Sequence, residues 1–316
     1  MCAGSTLWYA TTLADGTRYP IPDTRLLTQT MSLFERFSTY LAFVRFSHTV
    51  FALPFALVGA LLASRVVPMT WSRVGWIVVA MVAARSAAMA FNRLVDARLD
   101  ALNPRTAQRE LPSGAMSRRE ASIFLVVTSA AFIVVCAQIS RTCLWLSPVA
   151  LAIVFWYSLA KRVTWATQFF LGLAMAVAPV GGWIAAGGGP SWEPVLLAVA
   201  IGTWVGGFDV LYACQDLAFD RAHGLRSIPT RFGVARSIAI SRVLHVVTVV
   251  CLAALGVVAG LGVFYQAGVA LVTLLLCFEQ SLVSAADLSQ VKRAFDLNGW
   301  VGLLYLVTTG LSVYVG

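Results

Sequence analysis

The chain has 316 residues, 59% hydrophobic and 12% charged, with a formal net charge of +9 and a mean hydropathy of +0.81. Soluble globular domains average about 45–50% apolar and about 25% charged residues, so this composition cannot cover a water-soluble core with polar surface. It equally excludes a disordered chain, a disulfide scaffold and a coiled coil. What remains is an all-α, polytopic membrane protein.

Residues 1–30 contain Asp15, Pro20, Pro22 and Asp23 and lack the apolar core of a cleavable signal peptide. They read as a dispensable extension. Met31 opens an amphipathic run, so residues 31–316 are expected to form one membrane domain. A crossing helix needs about 20 apolar residues. Runs of that kind lie at 41–64, 74–95, 121–139, 143–160, 165–186, 194–214, 236–259, 261–283 and 297–315, predicting about nine spans around a central cavity. None alternates as a membrane strand would. With the N-terminus cytoplasmic, nearly all the Lys and Arg fall inside; only Arg65, Arg73 and Arg141 fall outside, and Arg85 lies within a span. Topology thus accounts for the basic charge, and nucleic acid is not required. The six cysteines are scattered without a CxxC pair, which argues against zinc and disulfides and makes them apolar fillers.

Two long inside loops, about 96–120 and 215–235, carry most of the acidic residues and should be functional. The second span runs into FNRLVDARLD, with Asn92, Asp96 and Asp100 at i, i+4 and i+8. On an α-helix that is a stripe about 12 Å long on one face. The sixth span runs into FDVLYACQDLAFD, placing Asp209, Tyr212, Asp216 and Asp220 in a similar stripe. The two register with each other, predicting a parallel repeat that faces one shared cavity. Five carboxylates there demand a compensating cation. Oxygen-only ligands favour a hard ion, Mg²⁺ or Ca²⁺, with Asn92, Asp96, Asp100, Asp216 and Asp220 as candidate ligands. Arg105, Arg109, Arg226 and Arg231 lie nearby in glycine-containing loops, and arginine forks suit diphosphate oxygens. Arg85 precedes Asn92 by two turns on the same face and should look into an interior cavity. A transporter with an acidic cation site is the competing class at this point.

NxxxDxxxD at Asn92–Asp100 and DxxYxxxDxxxD at Asp209–Asp220 resemble the two aspartate-rich motifs of the UbiA superfamily of intramembrane prenyltransferases. The resemblance extends to RTAQRELPSG at Arg105–Gly114, YSLAKR at Tyr157–Arg162, HGLRSIPTRFG at His223–Gly233, and Arg45. The stretches SHTVFALPFAL, ARSAAMAFNRL and GFDVLYACQD look most similar to 4-hydroxybenzoate polyprenyltransferases. The resemblance implies that Mg²⁺ ions held by the aspartates grip a polyprenyl diphosphate, and that Arg105, Arg109, Lys161 and Arg226 neutralise it. It further implies that Arg45, Arg85, Tyr157 and Asp209 bind substrate, and that Tyr157 and Tyr212 orient substrates or shield an allylic cation. The acceptor would be a hydroxy-aromatic acid, 4-hydroxybenzoate or 1,4-dihydroxy-6-naphthoate, in quinone synthesis at a bacterial inner membrane. His48 departs from the pattern, standing where ubiquinone-pathway members tend to carry lysine, which bears on the acceptor. His223 is a weaker candidate near the phosphate, and His245 reads as structural.

Overall fold

The computed structural model describes residues 9–12, 18–21, 33–44 and 46–315. Two units emerge, 1–42 and 43–316. The first holds a two-stranded antiparallel pair, β1 (Tyr9–Thr12) and β2 (Arg18–Ile21), followed by most of α1 (Leu33–Phe43). Part of the expected 1–30 extension is therefore extended chain rather than helix.

The second unit is helical: α2 (Phe46–Ala63), α3 (Trp71–Leu102), α4 (Arg118–Ile139), α5 (Arg141–Val163), α6 (Thr167–Ala185) and α7 (Trp192–Ala213) come first. A short α8 (Leu217–Ala222) precedes α9 (Ile228–Val258), α10 (Val263–Ser281) and α11 (Val291–Tyr314). The nine expected spans map onto α2–α7 and α9–α11. Among the described residues, seven of these (α3–α7, α9 and α10) are long and apolar enough to cross a membrane. Many of their large apolar side chains point outward, among them Val126, Val127, Val134, Val246 and Val250. A helix in lipid has no reason to bury such residues.

Two departures from the expected boundaries matter for the site. Helix α3 continues past residue 95 to Leu102, so Asn92, Asp96 and Asp100 share one uninterrupted α-helix. The second stripe does not. After α7 the chain tightens into a 3₁₀ turn at Cys214–Asp216 before α8 begins, so Asp209 and Asp220 lie on different helical segments. A 3₁₀ turn advances three residues per turn instead of 3.6, which turns Asp216 and Asp220 out of the straight line that the spacing predicts.

Glycines bring the helix axes together. A Cβ on Gly182 of α6 would strike the Ala56 carbonyl of α2, and one on Gly172 would strike the Gly202 carbonyl of α7. Gly207 of α7 lies against the His245 ring. Small residues permit this approach between membrane helices. Deeper in the bundle the Trp204 indole N–H donates to Asn298 Oδ1 at 2.6 Å, joining α7 to α11. The Tyr265 hydroxyl bonds the Leu252 carbonyl at 2.9 Å and meets Tyr305 at 3.0 Å. Replacing Gly182 by leucine should abolish monodisperse protein in detergent. Gly75→Leu, where the added side chain meets open space, should leave the elution profile unchanged. Similar profiles for both would refute the close approach of α2 and α6.

Candidate active site

The polar residues of the first motif collect at one end of α3. Asp96, only 3% exposed, accepts from Lys161 Nζ at 2.6 Å and from Arg162 Nη2 at 2.8 Å, both at the end of α5. Asn92 donates its amide to Asp96 at 3.2 Å and to Ser158 Oγ at 3.3 Å. Among the described residues its amide oxygen is left uncommitted. Asp100, equally buried, receives both oxygens' bonds from Arg109 Nη1 at 2.8 and 2.9 Å. Arg109 can reach back because the chain after α3 turns tightly, with Thr106 Oγ1 donating to the Asp100 carbonyl at 3.0 Å and the Thr106 amide to the Asn103 carbonyl at 2.9 Å.

The second motif meets the first through shared cations. Arg105, in the turn that follows Asp100, donates to Asp216 Oδ2 at 2.5 Å and to the Tyr212 hydroxyl at 2.7 Å. Its guanidinium also sits 5.3 Å from the Tyr212 ring centre. Lys161, bonded to Asp96, lies within charge–charge range of both Asp209 and Asp220. Asp220 accepts a long bond from Ser227 Oγ, 3.4 Å. The turn after α3 and the junction of α7 and α8 are thus joined through Arg105, with the carboxylates closed onto basic side chains.

Below this polar layer lies a cavity of about 360 Å³ framed mainly by α2–α6. Its walls are alanine, valine, leucine, isoleucine and methionine, with Phe132, Cys136 and Cys143 on α4 and α5. Arg85 and Tyr157 also line it. Both are deep in the bundle yet retain some accessible surface, which is the surface they present to the cavity. Arg85 Nε has no hydrogen-bond partner. Tyr157 is within electrostatic range of Arg85 on one side and of Asp96 and Asp209 on the other, so it stands where the apolar chamber meets the acidic layer.

Other expected site residues fall elsewhere. Arg226 donates to the Val163 carbonyl at 2.6 Å and Arg231 rests over the Trp165 and Phe232 rings at 5.2 and 5.5 Å. Neither forms an ion pair with a carboxylate among the described residues. Arg45 lies outside the described residues, as does the side chain of His48. His223 caps its own short helix, its Nδ1 2.9 Å from the Phe219 carbonyl and its ring stacked on Phe219. His245 bonds Gln280 Nε2 at 3.0 Å between α9 and α10, a packing role. Ser158 and Arg162 stand inside the YSLAKR stretch, where sequence reasoning assigned neither a role of its own, yet both touch the first motif. The signal for Arg162 was adjacency to Lys161 at a helix end.

No three of the described His, Cys, Asp and Glu residues converge as a ready-made metal cage. The donor chemistry nevertheless fits a hard cation. Asn92 and the five aspartates of the two motifs offer oxygen donors, with no imidazole or thiolate in either motif's bonding network. Mg²⁺ usually takes only one or two protein carboxylates, completing its shell from substrate phosphate and water.

The sequence pattern of the UbiA prenyltransferase family matches residues 52–304. A 4-hydroxybenzoate octaprenyltransferase from Cronobacter sakazakii is 31% identical over 242 residues, covering 75% of this chain and 83% of its own. Its counterpart from Vibrio parahaemolyticus is 33% identical, covering 72% and 80%. Among solved structures, an apo UbiA homologue from Aeropyrum pernix superposes with a TM-score of 0.77 at 36% identity, covering 83% of this chain and 96% of that one. A UbiA homologue from Archaeoglobus fulgidus, solved with DMAPP and Mg²⁺, shares the fold with a TM-score of 0.69 at 17% identity, covering 86% and 99%. An acid-lined helix pair closing an apolar chamber, and a pattern match across most of the chain, together place this integral membrane protein in the UbiA prenyltransferase family, as a prenyltransferase.

Proposed function

We propose that this enzyme moves a polyprenyl group from its diphosphate to the ring of a hydroxy-aromatic acid of the 4-hydroxybenzoate type, within quinone synthesis at the inner membrane. The active-site loops would face the cytoplasm, a reading that the distribution of Lys and Arg supports. The carrying observation is the neutralisation of both acidic motifs by Arg105, Arg109 and Lys161 beside an apolar cavity that contains one unsatisfied arginine. The names of the relatives support the acceptor, and the ligands of the Archaeoglobus fulgidus homologue support the diphosphate and the metal.

Asn92, Asp96, Asp100, Asp216 and Asp220 would hold Mg²⁺, with Asp209 assisting. When bound, that ion supplies positive charge to the diphosphate oxygens and so eases departure of pyrophosphate. The protein's own cations act in the same sense. Arg105, Arg109 and Lys161 already reach the carboxylate layer and can neutralise phosphate oxygens there. Breaking the allylic C–O bond releases pyrophosphate and leaves an allylic cation. A ring carbon of the acceptor then forms the new C–C bond, and the ring loses a proton to restore aromaticity. The Tyr157 and Tyr212 rings can face the positive charge. The apolar walls exclude the water that would quench it, and the same cavity accommodates isoprenoid carbon. Arg85, with its unsatisfied Nε at the cavity wall, suits the carboxylate of the aromatic acid. Menaquinone-type synthesis with 1,4-dihydroxy-6-naphthoate would use the same arrangement.

Asp96→Asn and Asp216→Asn should each lower turnover about 10²–10³-fold in a purified assay that follows prenylated product by mass. Near-normal activity in either, with the protein folded, would remove the acidic layer from the mechanism. Arg85→Ala should raise KM for 4-hydroxybenzoate more than about tenfold, the worth of a charge-assisted hydrogen bond, and leave KM for the prenyl diphosphate unchanged. The same change in both constants would make Arg85 structural.

A further inference from the structure

A second polar feature lies on the membrane face that bears the acidic layer, and the proposed reaction does not use it. The turn between α5 and α6 and the start of α9 enclose an open cleft lined by Val163, Thr164, Trp165, Arg226, Thr230 and Arg231. The cleft is held in place by bonds between the two segments. The Arg226 amide donates to the Lys161 carbonyl at 2.8 Å, its guanidinium to the Val163 carbonyl at 2.6 Å, and the Ile228 amide to Gln168 Oε1 at 3.1 Å. Arg231 differs from the arginines of the acidic layer. Its guanidinium lies over the Trp165 and Phe232 rings, which are themselves edge to face at 5.3 Å. Among the described residues it donates to no acceptor. No carboxylate enters the cleft.

The cleft also lies near the polar end of the bundle. Lys161, two residues before Val163, pairs with Asp96 there. Val163 of the cleft is 55% exposed, and apolar surface continues at Phe169 (41%) on α6 and, past a break in α9 at Gly233, at Val243 (63%). A tryptophan and two arginines at the upper edge of lipid-facing helices match the polar–apolar gradient of a phospholipid, whose phosphate lies at the level of interfacial aromatic residues.

We propose that this cleft binds the phosphate of an anionic membrane phospholipid, with Arg231 and Arg226 facing the headgroup and Val163 and Phe169 beside the acyl chains. The planar guanidinium stacked on Trp165 keeps its outward N–H groups free for phosphate oxygens, a geometry that arginine provides and lysine does not. Charge complementarity selects an anionic over a zwitterionic headgroup. The site is separate from the diphosphate layer, since Arg226 and Arg231 contact none of its carboxylates.

The test uses full-length protein in nanodiscs of phosphatidylcholine with or without phosphatidylglycerol, and counts retained lipid by native mass spectrometry. Wild type should retain phosphatidylglycerol in preference to phosphatidylcholine and lose it as ionic strength rises. Arg231→Gln should lower that retention about fivefold, the worth of one arginine near an anionic surface. Arg242→Gln, an exposed arginine farther along α9, should leave it unchanged. Equal retention in wild type and Arg231→Gln would overturn the proposal. So would an equal fall in Arg242→Gln, which would reduce the effect to overall charge. Retention insensitive to salt in the wild type decides against it without relying on any variant. Displacement of phosphatidylglycerol by inorganic pyrophosphate would reassign the cleft to a free anion.

Discussion

The structure depends on how carboxylates are kept charged at the edge of a bilayer. A buried Asp96 without a partner would cost several kcal/mol, and the protein meets that cost with two cations from a different helix, Lys161 and Arg162. Asp100 is held by Arg109 and Asp216 by Arg105. The pairs do more than neutralise. Those to Asp96 tie the end of α3 to the end of α5, and that to Asp216 ties the turn after α3 to the junction of α7 and α8. Removing one partner from such a pair typically costs about 3–5 kcal/mol, because it strands the other charge. The turn after α3 is consequently fixed by the same charges that face the proposed substrate.

That arrangement divides the interior by polarity. Above, oxygen and nitrogen atoms are dense, and most of the carboxylates are paired with basic side chains. Below, the cavity wall is apolar apart from Arg85 and Tyr157 and a few small polar groups. A substrate with a diphosphate head and a hydrocarbon tail is oriented by this division before any specific contact is made. Tyr157 lines this cavity and lies within electrostatic range of Arg85, Asp96 and Asp209, between the two zones. The close helix approaches at Gly172 and Gly182 lie on α6, one wall of the chamber. The packing that narrows the bundle there therefore also shapes the cavity.

Much of this was legible in the sequence, and for a physical reason. Hydrophobic runs long enough to span lipid have few alternatives, and an Asn–Asp–Asp stripe at four-residue spacing keeps its meaning wherever the helix packs. Helix α3 obeys that reading along its whole length. The second stripe departs from it because a 3₁₀ turn intervenes at Cys214–Asp216, and nothing in ACQDL distinguishes 3.0 from 3.6 residues per turn. The site partners were less legible. Arg162 and Ser158 reach the first motif from α5, across a sequence separation that local pattern cannot bridge. Arg226 shows the converse error. Proximity in sequence to the acidic motif suggested a phosphate ligand, but the backbone carbonyl of Val163 holds its guanidinium elsewhere.

The basic residues illustrate why net charge alone could not identify the site. An excess of +9 is compatible with the Lys and Arg bias of loops on one side of helical membrane proteins, which carries no information about a site. Within that excess, position decides the chemistry. Arg105, Arg109, Lys161 and Arg162 are each within bonding distance of an aspartate, so their charge is locally cancelled until an anionic ligand competes for it. Arg85 has a chamber wall for a neighbour, and Arg231 has two aromatic rings. Guanidinium groups without a carboxylate partner retain their full attraction for an incoming anion. Under the proposals above, those two would discriminate among ligands by shape and depth in the membrane, whereas the paired ones would respond chiefly to how much negative charge arrives.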